Sequence, residues 1–280
     1  MAEMFGVASP PDALGDELAT IALAAARAAA EIQRTGFGGI REQVDTKSSA
    51  TDMVSEVDRQ AEAAVVGVIT ERRPNDAILG EEGTSRDGSS GVRWVIDPLD
   101  GTTNYLFGIP AFSVSIAAEL DGATVVGVVI DPSRAETWAA VRARGARLNG
   151  RPVTVATGRS QLATALVATG FGYRAERRTR QAQVAAAVVP AVRDIRRFGS
   201  AALDLCWVAG GRLDAYYEWG LNPWDLAAGR LICDEAGART ELLTGRTIVA
   251  CVPALFDPLA ELLVSAGALA IEAGPEDRHW

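Results

Sequence analysis

The chain has 280 residues, 48% of them hydrophobic and 22% charged, which is enough to bury a large core in one domain or in two closely packed lobes. Its formal net charge of −9 argues against a nucleic-acid partner, because nucleic acids bind basic surfaces. The sequence has no apolar run long enough to cross a membrane and no signal-peptide pattern, so it predicts a cytoplasmic protein without a membrane partner.

The use of histidine and cysteine limits the chemistry. The only histidine is His279, which argues strongly against a Ser-His-Asp triad or a histidine-rich zinc site. Each of Cys206, Cys233 and Cys251 lies in an apolar stretch without a C-x-x-C pair, a pattern typical of buried thiols in a reducing compartment. Any catalysis is therefore expected to use carboxylates, hydroxyls, lysines or thiols.

The N-terminal part of the chain predicts two helices. The first is an Ala-rich helix over 16–34, and the Gly-rich segment after it predicts a mobile loop or a hairpin. The second is predicted over 53–73 from apolar residues at helical spacing, namely Val54, Val57, Ala61, Ala64, Val65 and Val68. Asp58 lies beside this apolar stripe, where a solvated helix acid is the simplest interpretation.

Strands are predicted next. The short strand AILG leads into Glu81 and Glu82, and the apolar run Trp94–Ile96 predicts a buried strand that Pro98 ends. Asp121 and Gly122 predict the turn of a hairpin, and further strands are predicted over 112–120, 124–130, 137–141 and 146–155.

The second half alternates between strands and helices. Strands are predicted over 165–170, 194–198, 214–219 and 247–252, and helices over 176–189, 200–210, 224–237 and 255–267. The first half therefore predicts an α+β lobe over 1–156 and the second an α/β lobe over 157–280, which together form one catalytic unit.

Three acidic clusters lie far apart in the sequence: Glu81 with Glu82, Asp97 with Asp100, and Asp225. A solvated turn explains the first and a helix N-cap the last, and Thr102 and Thr103 could cap a helix of their own. Together, however, these carboxylates would repel each other unless cations lay between them, and Mg²⁺ prefers such oxygen ligands. The helix start after Gly101 would offer backbone N–H groups to a phosphate, so the pattern indicates metal-assisted phosphoryl transfer to water.

Two other phosphatase motifs fit less well. The Asp97-x-x-Asp100 spacing is one residue longer than the Asp-x-Asp motif of haloacid-dehalogenase-type phosphatases. Cys206 and Arg212 match the Cys-x5-Arg motif of cysteine phosphatases, which requires a loop directly after a strand. Cys206 instead belongs to a helical pattern with Ala202, Leu205 and Ala209, so we interpret it as a core thiol.

The motifs GEEG at 80–83, WVIDPLDGTTNY at 94–105 and WDLAAGRLICDEAGA at 224–238 resemble those of the inositol monophosphatase family. The segments KSSATDMVSEVD at 47–58 and GSAALDLCWVAGGRLDAYYE at 199–218 are similar to its upstream and substrate-side segments. The resemblance extends from about residue 16 to about residue 265. It implies a layered αβαβα sandwich, usually as a homodimer, with two or three Mg²⁺ ions per active site.

The resemblance also implies roles for individual residues. Glu81, Asp97 and the carbonyl of Leu99 would hold one Mg²⁺, and Asp97, Asp100 and Asp225 a second, with a third, weaker ion on Glu81. Thr102, bonded to Asp58, would orient and help deprotonate the attacking water, and Glu82 would support the ligands. The amides of Gly101 and Thr102 would hold the phosphate. Substrate hydroxyls would meet Glu218 and the segment Gly199, Ser200 and Ala201, and metals would be gated by the loop with Lys47 and Asp52.

The resemblance implies a Mg²⁺-dependent phosphomonoesterase acting on inositol 1-phosphate through metal-activated water. Family members often carry His before the Trp-Asp pair, where this chain has Asn222, so substrate preference is open there. Alternative substrates are fructose 1,6-bisphosphate, histidinol phosphate and adenosine 3′,5′-bisphosphate, although Glu218 favours a polyol ring. An alternative of another class is a regulatory binding partner of RNA-processing or transcription machinery.

Overall fold

The computed structural model describes residues 12–38, 44–46, 53–243 and 246–271. The helices in these ranges are α1 Asp12–Gly36, α2 Glu56–Arg72, α3 Thr102–Leu106, α4 Ala175–Val188, α5 Ala201–Ala209, α6 Pro223–Glu235 and α7 Phe256–Ser265. The strands are β1 Val44–Thr46, β2 Met53–Ser55, β3 Ala77–Gly80, β4 Ser85–Arg86, β5 Val92–Asp100, β6 Ser113–Leu120, β7 Ala123–Asp131, β8 Glu136–Val141, β9 Ala146–Leu148, β10 Arg151–Val153, β11 Leu166–Thr169, β12 Asp194–Arg196, β13 Ala215–Trp219, β14 Arg239–Leu243 and β15 Thr247–Cys251.

Two large sheets organise the fold. The first has eight strands in the order β10-β9-β8-β7-β6-β5-β3-β4, and within it only the pair β3 and β5 is parallel. The second has five strands in the order β12-β11-β13-β15-β14, with β11 parallel to both its neighbours. The parallel pair β3 and β5 matters for function because it brings two strand ends to the same edge of the first sheet.

The layers follow the predicted αβαβα order. Helices α1 and α2 cover one face of the eight-stranded sheet, α5 and α6 lie between the two sheets, and α4 and α7 cover the outer face of the second. Alternate residues of β5 face opposite layers: Trp94 and Ile96 pack with α1, whereas Val95 packs with the C-terminal core. Both faces of the first sheet are therefore buried, which explains its long apolar strands.

The main errors of the sequence predictions concern element ends. Met53–Ser55 is a strand that pairs antiparallel with Val44–Thr46, so the second helix begins only at Glu56. The rest of the Gly-rich segment predicted as a loop or hairpin, including Lys47 and Asp52, lies outside the described residues. Val54 was assigned to the helix because a three-residue strand directly before a helix leaves no periodic signal.

The proline at position 98 does not end its strand. β5 continues to Asp100, and its pairing with β6 shifts register between Asp97 and Asp100. A bulge of this kind accommodates proline, which lacks the N–H that a regular ladder would require. The sequence analysis also missed strand β14, which pairs with β15.

The three cysteines are buried free thiols, as predicted. Cys206 lies inside α5, and burial raises its pKa well above the usual range, so the cysteine-phosphatase motif is a coincidence of spacing. In the part of the chain that the structure describes, every helix is too short or too polar to cross a membrane.

Gly127 sets the distance between β7 and α6. A Cβ at this position would lie 2.7 Å from the carbonyl oxygen of Ala228. We expect Gly127→Ala to lower the free energy of unfolding by about 1–3 kcal/mol, because the helix must move away from the sheet. Urea unfolding followed by circular dichroism would measure the change.

Gly67 provides the matched control within α2, since a Cβ there meets no atom within 4 Å. Gly67→Ala should raise the free energy of unfolding by about 0.5–1 kcal/mol, the usual gain in a helix interior. Equal effects of the two substitutions would contradict the close-approach argument.

Candidate active site

Three aspartates meet at the edge of the first sheet. Because β3 pairs parallel to β5, with Gly80 opposite Ile96, the residues that follow each strand become neighbours. The N–H of Glu81 donates to the Ile96 carbonyl at 3.1 Å. Asp225 reaches the same place from the first turn of α6. Carboxylate oxygens of Asp97, Asp100 and Asp225 lie within 4.8 Å of one another.

The electrostatics of this cluster favour a cation. Asp97 is only 1% exposed. Its pKa is raised well above the usual range, mainly by burial and secondly by repulsion from Glu81. The pKa of Asp225 is also raised well above the usual range, again mainly by burial and secondly by repulsion from Glu81. Burial raises the pKa of Asp100 to about 6, although hydrogen bonds from Ser200 and the Ala202 amide oppose this shift. Buried like charges of this kind are stabilised by a positive ion between them.

The donor set fits a hard divalent cation. The clustered groups are three carboxylates, which offer only oxygen ligands. Mg²⁺ and Ca²⁺ bind such oxygen ligands, whereas structural zinc sites use mainly sulfur and nitrogen.

The turn between β5 and α3 is fixed by short-range hydrogen bonds. The Leu99 N–H donates to Asp97 Oδ1 at 2.9 Å. The Thr102 hydroxyl lies 3.0 Å from the Leu99 carbonyl and 2.9 Å from Asp58 Oδ1. Gly101 and Thr102 open the five-residue helix α3, so their N–H groups lie at a helix start.

Asp58 is not the solvated acid that its position beside the apolar stripe suggests, and its hydrogen bond to Thr102 agrees with what the resemblance implies. Asp58 is 0% exposed and belongs to the buried face of α2, which also contains Ala61, Glu62, Val65 and Ile69. The apolar residues alone did not reveal this face because two of its five members are acids. The hydrogen bond to Thr102 provides the polar partner that a buried carboxylate requires.

The start of α5 is joined to the same turn. Asp100 Oδ2 accepts hydrogen bonds from the Ser200 hydroxyl at 2.6 Å and from the Ala202 amide at 2.7 Å. The Asn104 side-chain amide donates to the Phe198 carbonyl at 2.6 Å. The predicted substrate-side segment, Gly199, Ser200 and Ala201, therefore lies beside the acidic cluster.

Glu218 and Asn222 approach from the C-terminal half. Glu218 accepts a hydrogen bond from the Tyr216 hydroxyl at 2.7 Å, and burial raises its pKa to about 7. Repulsion from Asp100 makes a smaller contribution to this shift. The Asn222 N–H donates to Asp225 Oδ2 at 2.6 Å, so Asn222 directly precedes the turn that presents Asp225.

The sequence analysis missed several residues that support this site. The Gln33 side-chain amide donates to the Pro98 carbonyl at 2.6 Å, Ser113 contacts Ser200, and Glu62 binds the turn that contains Glu82. Only Glu62 had a local signal, since it follows Asp58 by one helical turn. The other two contacts join elements that are distant in sequence.

Comparison with known proteins finds the same family that the sequence motifs resemble. Residues 15–274 match the model of the inositol monophosphatase family. The chain is 47% identical over 242 residues to the Mycobacterium tuberculosis H37Rv protein named Inositol-1-monophosphatase SuhB, covering 81% of this chain and 82% of that one. It is 43% identical over 231 residues to the Pseudomonas aeruginosa protein named Nus factor SuhB, covering 80% and 85%.

Solved structures show the same architecture. A structure of Mycobacterium tuberculosis SuhB gives a TM-score of 0.79 at 44% identity, over 91% of this chain and 98% of that chain. The suhB extragenic suppressor protein of Bartonella henselae gives a TM-score of 0.84 at 36% identity, over 88% and 98%. The predicted layered fold is thereby confirmed, and the chain belongs to the inositol monophosphatase family.

Proposed function

We propose that this protein is a Mg²⁺-dependent phosphomonoesterase that hydrolyses inositol 1-phosphate to inositol and phosphate. The observation that carries the proposal is the meeting of Asp97, Asp100 and Asp225 within 4.8 Å, with Glu81 beside them. Family membership supports phosphatase activity at the level of the family. The metal is inferred from the carboxylate ligands, and inositol 1-phosphate from the family resemblance together with Glu218.

The metal ligands would divide into two sets. Glu81, Asp97 and the Leu99 carbonyl would hold one Mg²⁺, and Asp97, Asp100 and Asp225 a second, while a third and weaker ion would use Glu81. Bound Mg²⁺ supplies positive charge that neutralises the cluster and makes a bound water acidic enough to attack near neutral pH.

The remaining groups would orient the reactants. Asp58 accepts the hydrogen bond from Thr102, which leaves lone pairs of the Thr102 oxygen available to position a water. The water oxygen attacks phosphorus, and its proton moves toward the Thr102–Asp58 pair. The phosphorus–oxygen ester bond breaks, and the leaving alkoxide takes a proton from a solvent water and departs as the alcohol. The N–H groups of Gly101 and Thr102 would bind the phosphate at the start of α3. Glu82 would support the ligands from the adjacent turn.

The substrate side favours a polyol. Glu218 would accept hydrogen bonds from ring hydroxyls, and Asn222 and the segment Gly199, Ser200 and Ala201 would line the same side. Fructose 1,6-bisphosphate, histidinol phosphate and adenosine 3′,5′-bisphosphate are the alternative substrates. A nucleotide ring would leave the Glu218 carboxylate poorly matched. A homodimer in the cytoplasm stays a prediction.

A second candidate role is binding to transcription or RNA-processing machinery. The observation that favours it is that relatives at 43% and 41% identity are named Nus factor SuhB. The acidic cluster argues for catalysis as the main role, since binding alone would not require it. A pull-down from lysate without a stoichiometric partner would count against this second role.

The proposed activity can be tested by measuring phosphate release. The substrates are inositol 1-phosphate and the three alternatives, each with Mg²⁺ or with a chelator. We expect chelator-sensitive turnover that is highest with inositol 1-phosphate. Asp97→Asn should lower this turnover by more than about 100-fold, because even residues that only support metal ligands contribute about 10–100-fold. Circular dichroism should show an unchanged fold.

The matched control is Asp121→Asn, at an exposed hairpin turn where Asn tolerates the positive φ of 50°. It should keep full activity. Retained activity in Asp97→Asn would overturn the metal assignment, and turnover dominated by another substrate would overturn only the choice of inositol 1-phosphate.

Stability should depend on pH and Mg²⁺ together. The folded-state pKa values of Asp97, Asp100 and Asp225 lie above the ordinary value of 3.8, so folding favours their protonated forms. Their stabilising contribution is present below the ordinary pKa. That of Asp100 is lost as pH rises through about 6, and those of Asp97 and Asp225 are lost as pH rises through their own raised pKa values. Mg²⁺ should therefore raise Tm more at pH 7.5 than at pH 5.

Differential scanning fluorimetry would measure this dependence, with the Asp97→Asn variant for comparison. Without Mg²⁺, this variant should be as stable as the unmodified protein at pH 4 and more stable at pH 7.5. An increase in Tm by Mg²⁺ that does not depend on pH would contradict the proposed coupling.

The role of Glu218 can be separated from the metal core. Glu218→Gln should raise KM for inositol 1-phosphate by about 10-fold or more, since a hydrogen bond to a charged group contributes about 1.5–3 kcal/mol. Phenyl phosphate, which has no ring hydroxyls, is the control substrate and should keep its KM. Equal increases for both substrates would show that Glu218 does not bind hydroxyls.

A further inference from the structure

Glu62 is a buried acid to which the proposed reaction assigns no role. It lies on α2 one turn after Asp58 and is only 4% exposed. Its carboxylate accepts three hydrogen bonds from the turn that follows β3. The donors are the Glu82 amide at 2.9 Å, the Thr84 amide at 3.1 Å and the Thr84 hydroxyl at 2.6 Å.

These contacts fix the backbone on one side of Glu81. On the other side, the Glu81 N–H donates to the Ile96 carbonyl of β5 at 3.1 Å, and the Gly80 N–H closes the turn by donating to the Thr84 carbonyl at 2.7 Å. Glu81 is therefore held between the neighbouring strand and the Glu62 carboxylate.

The close approach of Glu62 explains the glycine that begins the motif GEEG. A Cβ at Gly80 would lie 2.4 Å from Glu62 Oε2 and 2.7 Å from its carboxyl carbon. Real side chains do not approach this closely, so any larger residue at this position would displace the carboxylate. Gly80 and Glu62 thus form one local arrangement.

A carboxylate suits this position better than an amide. An ionised carboxylate offers only acceptors, and each oxygen of Glu62 faces at least one donor. A glutamine would direct its NH₂ group at a backbone or hydroxyl donor on one side of the turn. It would lose at least one of the three hydrogen bonds.

Helix α2 therefore binds both strand ends that form the site. Asp58 binds Thr102 after β5, and Glu62 binds the turn after β3. The two acids are four residues apart and lie on the same buried face. Together they hold the turn that contains Glu81 in register with the end of β5, which contains Asp97 and Asp100.

We propose that Glu62 is a positioning residue that presents Glu81 to Mg²⁺. The inference rests on the proposed function only in taking Glu81 as a metal ligand. Glu62 touches neither substrate nor metal, and acts through the backbone of residues 81–84. Loss of its hydrogen bonds should weaken Mg²⁺ binding while the reacting groups remain intact.

Isothermal titration of Mg²⁺ into the full-length protein without substrate tests this role. Glu62→Gln should raise the Mg²⁺ Kd by about 10–100-fold, the usual effect of losing a residue that orients a metal ligand. Saturating Mg²⁺ should restore most of kcat. In a Glu81→Gln background, Glu62→Gln should cause no further increase in Kd, because the ligand on which it acts is already lost.

Asp76→Asn is the matched control. Asp76 is a buried acid directly before β3, and it also accepts three side-chain hydrogen bonds, from Arg73, Ser90 and Trp94. It lies at the end of the strand away from Glu81. Its substitution should lower Tm and leave the Mg²⁺ Kd unchanged, which separates a loss of stability from a loss of positioning.

Thr84→Val removes the hydroxyl that donates to Glu62, so it should also raise the Mg²⁺ Kd, by a smaller factor than Glu62→Gln. This variant provides the test if Glu62→Gln does not fold. The positioning role would be overturned if a folded Glu62→Gln variant, or a folded Thr84→Val variant in its place, had an unchanged Mg²⁺ Kd. The proposed function would not be affected by that result. Absence of Mg²⁺ binding by the unmodified protein would overturn both this role and the proposed function.

Discussion

Repulsion among buried carboxylates is the constraint on which the site depends. Asp97, Asp100 and Asp225 are held within 4.8 Å of one another, and burial raises the pKa of each. A fold can maintain such an arrangement only if the backbone around each acid is fixed by other interactions. In this protein those interactions are the parallel pairing of β3 with β5, the bulge at Pro98 and the capping contact between Asn222 and Asp225.

The helices on both sides of the first sheet contribute to the same arrangement. On one side, α2 provides Asp58 and Glu62, which bind the two turns at the sheet edge. On the other side, α5 begins with hydrogen bonds to Asp100, and the approach of α6 to β7 at Gly127 places Asp225. The layered order is therefore directly relevant to the site, because the first sheet and the helical layers on its two faces supply the acidic cluster and its support.

We expect the metal-free protein to be less stable than it would be without the clustered acids, because residues that form an active site commonly lower the stability of the fold. The same acids that disfavour the metal-free fold at neutral pH provide affinity for a cation. Glu218, the proposed substrate-binding acid, has a similar environment: burial raises its pKa to about 7, and the Tyr216 hydroxyl donates a hydrogen bond to it. We expect protonation to couple folding to cation binding, because the protonated acids favour the metal-free fold and the ionised acids bind the cation.

The sequence alone determined the alternation of elements, the hairpin at Asp121 and Gly122, and the acids that end β3 and β5, because local periodicity and turn chemistry report these features. Its long motifs also indicate the family. Only the tertiary structure showed that β5 passes through Pro98, that Met53–Ser55 is a strand, and that Asp58 and Glu62 are buried. These features depend on pairing between distant segments, and an acid on an amphipathic helix is indistinguishable from a solvated one until its hydrogen-bond partners are known.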